Sequence, residues 1–235
     1  MMYRFRTKAR VIISLLIGIV VISIIVINGC KKTTETSSPI IALKGNNPLY
    51  LSLNTTYIEP GYLAHDITDG DISAQVTISG VNAININMKG TYLIIYSVTN
   101  SAGIISSATR SVFVINNADS LSGNFNVIDT CVTSGVIGFA DSVKASSTVN
   151  DYLTFYNFAG FNDSISGIFH HLNDTILFTQ NQNLGGGKTL ISAYGIVVLN
   201  DTSINGNIVV KRNIDLFYQF NNGVSIDTCV SHYKR

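Results

Sequence analysis

Gly90-Thr91-Tyr92-Leu93-Ile94-Ile95-Tyr96-Ser97-Val98 reads as a β-strand. Side chains of an extended chain alternate between two faces, so Tyr92, Ile94, Tyr96 and Val98 share one side while Leu93, Ile95 and Ser97 share the other. Both faces are largely apolar, which predicts an inner strand. Gly90 before it and Asn100-Ser101-Ala102-Gly103 after it are turn formers, and Ile104 to Ile115 returns as the partner of a hairpin. The same logic extends outward in both directions. Val, Ile, Thr, Tyr and Phe dominate, clusters of Asn, Ser, Asp and Gly punctuate them, and no stretch sustains the i, i+3, i+4, i+7 apolar spacing of a capped helix. The fold class is all-β.

Around that hairpin, Tyr57, Glu59-Pro60-Gly61, Ala64, Asp66, Asp69-Gly70-Asp71, Val76, Gly80-Val81, Gly90-Thr91-Tyr92, Tyr96, Val98, Gly103, Arg110 and Val112 follow in order. In this spacing residues 39–116 resemble the bacterial immunoglobulin-like domain found in pesticidal crystal proteins and in many surface lipoproteins. The resemblance implies a seven-stranded β-sandwich serving as spacer, adhesive or binding module, with no common catalytic residue. Ser101-Ala102-Gly103 stands where the family often has an acidic residue and Gly-Asn, a departure confined to a turn. Asp66, Asp69 and Asp71 form a candidate calcium site, since three carboxylates within six residues offer oxygens to a hard cation. The stretch is shorter than a full calcium loop and lacks its downstream glutamate, so an Asx-rich turn is the preferred reading.

A seam falls at Asn116-Asn117-Ala118-Asp119-Ser120, where turn formers follow Val112-Phe113-Val114-Ile115. Beyond it, residues 120–235 carry apolar-rich runs near 124–132, 151–158, 164–171, 175–180, 189–199, 207–219 and 224–233. Short connections between them predict an antiparallel meander, barrel or sandwich. Asn162-Asp163-Ser164, Asn173-Asp174-Thr175 and Asn200-Asp201-Thr202 read as hairpin tips. Ile128-Asp129-Thr130-Cys131-Val132 is echoed by Ile226-Asp227-Thr228-Cys229-Val230 at the far end of the meander. If closure makes these strands neighbours, Cys131 and Cys229 can pair in an oxidising compartment; two buried free thiols are the alternative. This half also resembles, more loosely, the small lipocalin-like β domains that end many envelope lipoproteins, through Gly123-Asn124-Phe125, Cys131, Asn157-Phe158-Ala159-Gly160 and Cys229-Val230-Ser231-His232-Tyr233-Lys234. That likeness implies an architecture rather than an activity.

The first 29 residues carry an address. Arg4, Arg6, Lys8 and Arg10 precede an apolar run of 17 residues from Val11 to Ile27, and Asn28-Gly29-Cys30 follows. The order resembles a bacterial lipoprotein signal, with Cys30 as the lipidated first residue and Ile27 in place of the preferred leucine. An uncleaved N-terminal helix is the alternative, at the short edge of what spans a bilayer. Either reading puts the remainder outside the cytoplasm, with the membrane as a partner through the anchor and an outer-membrane lipoprotein, periplasmic or surface-exposed, as the expected location. Residues 30–38 are small and polar and read as a tether. Without the four basic residues of the signal, 14 acids outnumber 11 bases, a net charge of about −3 that disfavours nucleic acid as a partner.

Motifs for chemistry fail on inspection. Leu184-Gly185-Gly186-Gly187-Lys188-Thr189 ends like a phosphate loop, but Gln182 replaces its first glycine and a strand-like run follows where a helix is needed. His65, His170, His171 and His232 form no spaced metal pair, and adjacent His170 and His171 read as one solvated and one core residue. No nucleophile elbow occurs. The expectation is therefore a non-catalytic envelope protein without a cofactor, serving adhesion, scaffolding or display of a binding domain. The alternative is capture of a glycan or small apolar ligand by the second domain. There is no Trp, and the ring-dense stretch from Tyr152 to Phe161 supplies the candidate ligand-binding residues Tyr152, Tyr156 and Phe161.

Overall fold

The computed structural model describes residues 37–204 and 207–235, with residues 200–211 described as backbone alone. The signal segment, Cys30 and the tether up to Thr36 lie outside the described residues. The chain is all-β: immunoglobulin-like sheets come first, and a closed eight-stranded antiparallel barrel follows.

The first body contains β1 (Ile40–Leu43), β2 (Leu49–Ser52), β3 (Tyr62–Asp66), β4 (Gly70–Asp71), β5 (Thr77–Ser79), β6 (Gly90–Thr99) and β7 (Ile105–Ile115). One sheet has the order β1-β3-β4 and the other β2-β7-β6-β5. The β6–β7 hairpin runs in unbroken register from Gly90 opposite Val114 to Thr99 opposite Ile105. Its inward residues Ile94, Tyr96, Val112 and Val114 join Leu51 and Leu53 in the core. Each apolar side chain buried there stabilises the fold by roughly 1.5–3 kcal/mol. As expected of an inner strand, β6 lies between β7 and β5; its outward Leu93 and Ile95 are nonetheless 53% and 45% exposed, because the second sheet packs on only one side.

Arg110 is wholly buried between the sheets. Its guanidinium donates to the carbonyls of Asn46 at 2.6 Å and Lys44 at 2.7 Å and lies 3.5 Å from the Glu59 carboxylate. Tyr57 and Tyr96 each donate to Glu59 at 2.5 Å. Burial pushes the Glu59 carboxyl upward, but the two phenols, the Gly61 amide and the Arg110 charge outweigh it and hold it below the usual range. The positions that carry the family resemblance thus include one closed polar network in which a buried cation finds its partners.

The second body contains β8 (Gly123–Cys131), β9 (Gly135–Ala145), β10 (Tyr152–Phe158), β11 (Asp163–His170), β12 (Thr175–Phe178), β13 (Gln182–Asn183), β14 (Thr189–Ile204), β15 (Asn207–Asn221) and β16 (Ile226–Lys234). Each pairs with the next, apart from the short β13, which lies along β14; β12 pairs with β14 and β16 with β8, so the sheet closes. Strand β9 is absent from the runs seen in the sequence. Gly135, Gly138 and the inward-facing Asp141 break its apolar alternation, yet its ladder with β8 is continuous. A second correction concerns Asn200-Asp201-Thr202, which is no hairpin tip but part of β14, opposite residues 209–211. Cross-strand pairing there overrides a local turn signal.

The barrel interior is filled. Phe125, Leu153, Phe155, Phe158, Phe169, Ile176, Leu216, Phe220 and Tyr233 form one cluster with their neighbours. Space is tight where β12 meets β14. A methyl group on Gly195 would stand 2.7 Å from Leu216 Cδ2 and 3.2 Å from Ile176 Cβ, so glycine is what lets those side chains fill the wall. A 3-10 turn at Asn117–Leu121 inserts Ala118 and Leu121 into one end, and Phe161 packs on Phe220 at 5.3 Å in the opposite one.

That turn also fastens the two bodies. Asn116 caps it, donates to the carbonyls of Ser146 and Val149, and accepts from the Asp151 amide. Ser52 donates to Asn117, the Lys89 amide to the Ser147 carbonyl, and the Lys89 ammonium pairs with Asp119. What reads as a linker in sequence is a hydrogen-bonded joint.

Candidate functional site on the barrel wall

The barrel has two chemically distinct surfaces, and among the described residues the inward one is packed with its own side chains. Asp129 accepts from the Tyr218 hydroxyl at 2.6 Å and from Ser231 at 2.8 Å. Asp141 accepts from the Tyr233 hydroxyl at 2.9 Å and from the amides of Tyr156 and Asn157. Burial pushes both carboxyls above the usual range, and with them the phenols of Tyr218 and Tyr233. These are satisfied core groups. Among the described residues the only set of candidate metal ligands within 4.8 Å is Asp129, Cys131 and Cys229. Its two sulfurs are spent on each other, because Cys131 and Cys229 lie directly opposite on β8 and β16 and form a disulfide. The two echoed pentapeptides are therefore antiparallel neighbours at the closing seam. Asp227 from the second accepts from Ser134 and from the Thr133 and Ser134 amides, tying down the β8–β9 turn.

The outward surface is organised in rows. Tyr152 stands opposite Ile168, Ile168 opposite Leu177, Leu177 opposite Tyr194, Tyr194 opposite Phe217, and Phe217 opposite Val230. Opposed residues share a face, so these six apolar side chains form a belt across six strands. Ile168, Leu177 and Tyr194 are each about half exposed. Two residues further along β10, β11, β14, β15 and β16 stand Thr154, Ser166, Ser192, Gln219 and Thr228, while β12 ends at Phe178. Strand alternation puts that second row on the same outer face, and all of it is hydroxyl or amide. Neither row contains a charge. The belt is also staggered: followed past Val230 and Thr130 it returns to β9 at Val136, whereas Tyr152 itself pairs at Ser146.

The two rows meet in a concavity of about 300 Å³ lined by Ser192, Tyr194, Phe217, Gln219, Thr228 and Val230. Tyr194 and Phe217 stack at 4.9 Å with planes 14° apart. Gln219 reaches Thr228 at 3.3 Å. The hydroxyls of Ser192 and Tyr194 have no hydrogen-bond partner among the described residues. This surface combines apolar contact with uncommitted neutral hydrogen-bonding groups.

The sequence candidates are dispersed. Tyr152 is the first residue of the belt. Tyr156 is on the outer wall with the Lys144 ammonium 5.2 Å from its ring, and Phe161 closes a barrel end with Lys188 at 4.9 Å. Tyr194 and Phe217 escaped notice, since only the cross-strand register brings them together. The three aspartates of the first body are not gathered either. Asp66 accepts from the Thr68 and Asp69 amides and from Asn100, Asp69 accepts from Ser101, and Asp71 accepts from Ser73. His170 and His171 are both exposed at the end of β11, correcting the expectation of one buried ring, because the strand ends between them. His171 lies 3.7 Å from Asp151 on the rim of a second, more charged depression at the joint.

Residues 41–114 match the family described as bacterial surface protein, Ig-like domain. That match spans the strands of the first body, from β1 to β7. Among solved structures the chain is similar to the lipoprotein BT2262 from Bacteroides thetaiotaomicron, at 16% identity and a TM-score of 0.34, over 83% of this chain and 100% of that one. It is also similar to the CBM51-2 and INT domains of Clostridium perfringens ZmpB, solved in complex with GlcNAc, at 15% identity and a TM-score of 0.28. It covers 43% of that chain. No curated protein matches the sequence.

Proposed function

We propose that this is a non-catalytic, lipid-anchored envelope protein of the outer membrane, in which the Ig-like domain is a stalk and the barrel the displayed binding head. The observation that carries the reading is the joint: Asn116 and Asn117 bond to residues 146–150 of the barrel, and Lys89 of the Ig-like domain bonds to Ser147 and pairs with Asp119. A fixed joint suits presentation of a surface better than closure on a substrate. The filled interior supports the same reading, since the space in which an eight-stranded barrel would hold a small apolar ligand is taken by its own Phe and Tyr side chains. Binding then belongs to the outer wall, in adhesion or in scaffolding.

The test is envelope fractionation of cells expressing the intact chain and its Cys30→Ala variant, with intact mass and protease shaving of whole cells. The expected result is a diacylglyceryl-modified mass beginning at Cys30, retention in the outer membrane, and release when Cys30 is replaced. An unmodified protein in the soluble fraction would refute the anchoring half of the proposal. Turnover of any glycoside or ester substrate by the purified chain would refute the non-catalytic half.

A further inference from the structure

We infer that the two-row stripe on the barrel wall, centred on Tyr194 and Phe217, is a binding site for a neutral glycan chain. The inference rests on the reading of the barrel as a binding head and names the chemistry that head would take. A sugar ring is amphipathic. Its axial C–H groups make one apolar face and its hydroxyls project from the rim. The wall offers the matching arrangement, with an apolar row beside a row of hydroxyls and an amide in step along the strands. Tyr194, Phe217 and Val230 stand on three adjacent strands about 4.8 Å apart, so the face at the concavity is roughly 10 Å wide, room for one or two linked sugars.

Three observations select this ligand class. The lining of the central concavity contains no charged residue, which disfavours an anionic polysaccharide, a phosphate group or a polybasic partner. Tyr194 is 48% exposed and stacked on Phe217, so an aromatic surface is held rigid at little entropic cost to binding. The hydroxyls of Ser192 and Tyr194 and the amide of Gln219 lie in that concavity, where they can exchange water for sugar hydroxyls. A purely protein-binding patch would bring no need for a polar row in step with the apolar one on five of its six strands. The outer face of the Ig-like sheet differs, with exposed Tyr50, Leu93 and Ile95 set among scattered Ser and Thr.

The experiment uses the soluble chain beginning at Lys31. Affinity electrophoresis through gels containing dextran, galactomannan, xylan or yeast mannan is compared with gels containing alginate or polygalacturonate, and a retarding polysaccharide is then titrated calorimetrically. We expect retardation by at least one neutral polymer, little change in affinity between low and high salt, and none by the anionic ones. Tyr194→Ala and Phe217→Ala should each weaken binding about tenfold. Gln219→Ala should weaken it several-fold, and Tyr50→Ala on the Ig-like domain should leave it unchanged. Thermal melting of each variant identifies a loss that merely reflects unfolding, and Tyr194→Ser supplies a milder change at the same place. Failure of all neutral polymers to retard the protein overturns the inference, as does preference for the anionic ones or indifference to Tyr194→Ala and Tyr194→Ser. A monomer–dimer equilibrium abolished by Tyr194→Ala without polysaccharide binding would assign the stripe to a second copy and overturn it as well. The two proposals fail separately: a chain retained in the outer membrane that binds no glycan loses only the stripe, and one that binds glycan but is neither lipidated nor retained loses only the anchor.

Discussion

Removing the disulfide should lower the stability of the barrel by several kcal/mol, and the size follows from where the bond sits. Cys131 and Cys229 are 98 residues apart and join the first and last strands of the closed sheet. In the chain-entropy account, a cross-link closing a loop of that length removes denatured-state entropy worth roughly 4.7 kcal/mol at 25 °C. Both residues are buried, so Cys131→Ala/Cys229→Ala exchanges small apolar volumes without stranding a polar group, and the transfer loss is minor beside the entropic one. Measured losses fall below the model figure, so about 3–4 kcal/mol is expected, a fall in urea midpoint of about 2 M at ordinary m-values. The assay is urea unfolding of the soluble chain followed by far-UV circular dichroism, oxidised and double-variant proteins side by side. Because the gain comes from the unfolded state, the variant should also show a larger m-value, as its denatured chain expands further. A loss below about 1 kcal/mol with an unchanged m-value would refute the reasoning and mean that β8 and β16 are held in register without help from the loop constraint.

Arg110→Met should destabilise the Ig-like domain by about 3 kcal/mol, because Glu59 and the carbonyls of Lys44 and Asn46 lose their partner; the first transition in urea reads it, and a change under about 1 kcal/mol would count against the network. Gly195→Val should cost the barrel roughly 1–3 kcal/mol by overpacking against Ile176 and Leu216, seen as a lowered melting temperature, whereas Gly103→Ala, where nothing lies within 4 Å, tests only local backbone strain. Asp227 is held at about 2, first by the Ser134 hydroxyl and then by turn amides. Its contribution is therefore present above the ordinary carboxylate value and lost as pH falls toward 2, and Asp227→Asn should flatten melting curves over that window. Asp129 shows the opposite sign: burial raises its carboxyl, so wild-type stability declines as pH climbs from about 4 through the raised value, and Asp129→Asn should lack that decline.

The strands and their faces were legible where the alternation is clean. Tyr92, Ile94, Tyr96 and Val98 announce their shared face, and the position of Arg110 in the family pattern corresponds to a network that can be named atom by atom. The pairing of Cys131 with Cys229 was legible as a consequence of closure, since the echoed pentapeptides sit at the two ends of a meander. Strand β9 was not legible, because the carboxylate that Tyr233 satisfies looks, in one dimension, like a break in the pattern. The belt was hidden for a different reason. Its six residues are separated by as few as nine and as many as 23 positions, and nothing in the chain reveals that Leu177, Tyr194 and Phe217 are in step until β12 is paired with β14. Local chemistry writes the strands; long-range register writes the surface.

The seam between β8 and β16 also sets how the molecule carries load. A pull applied through the Ig-like domain enters the barrel at Gly123, next to the joint, and, were the proposed site on the wall engaged, it would be resisted at Val230 on β16 and at Phe217 on β15. Between those points the shortest covalent route runs along β8 to Cys131, across the disulfide to Cys229, and at once to Val230. For a load taken up at Val230, tension therefore bypasses the residues between the two cysteines, whereas a load on Phe217 runs on from Cys229 back along β16 and β15. Strands β8 and β16 can therefore keep their register at the seam under strain that would peel an uncrosslinked pair apart from its first hydrogen bond.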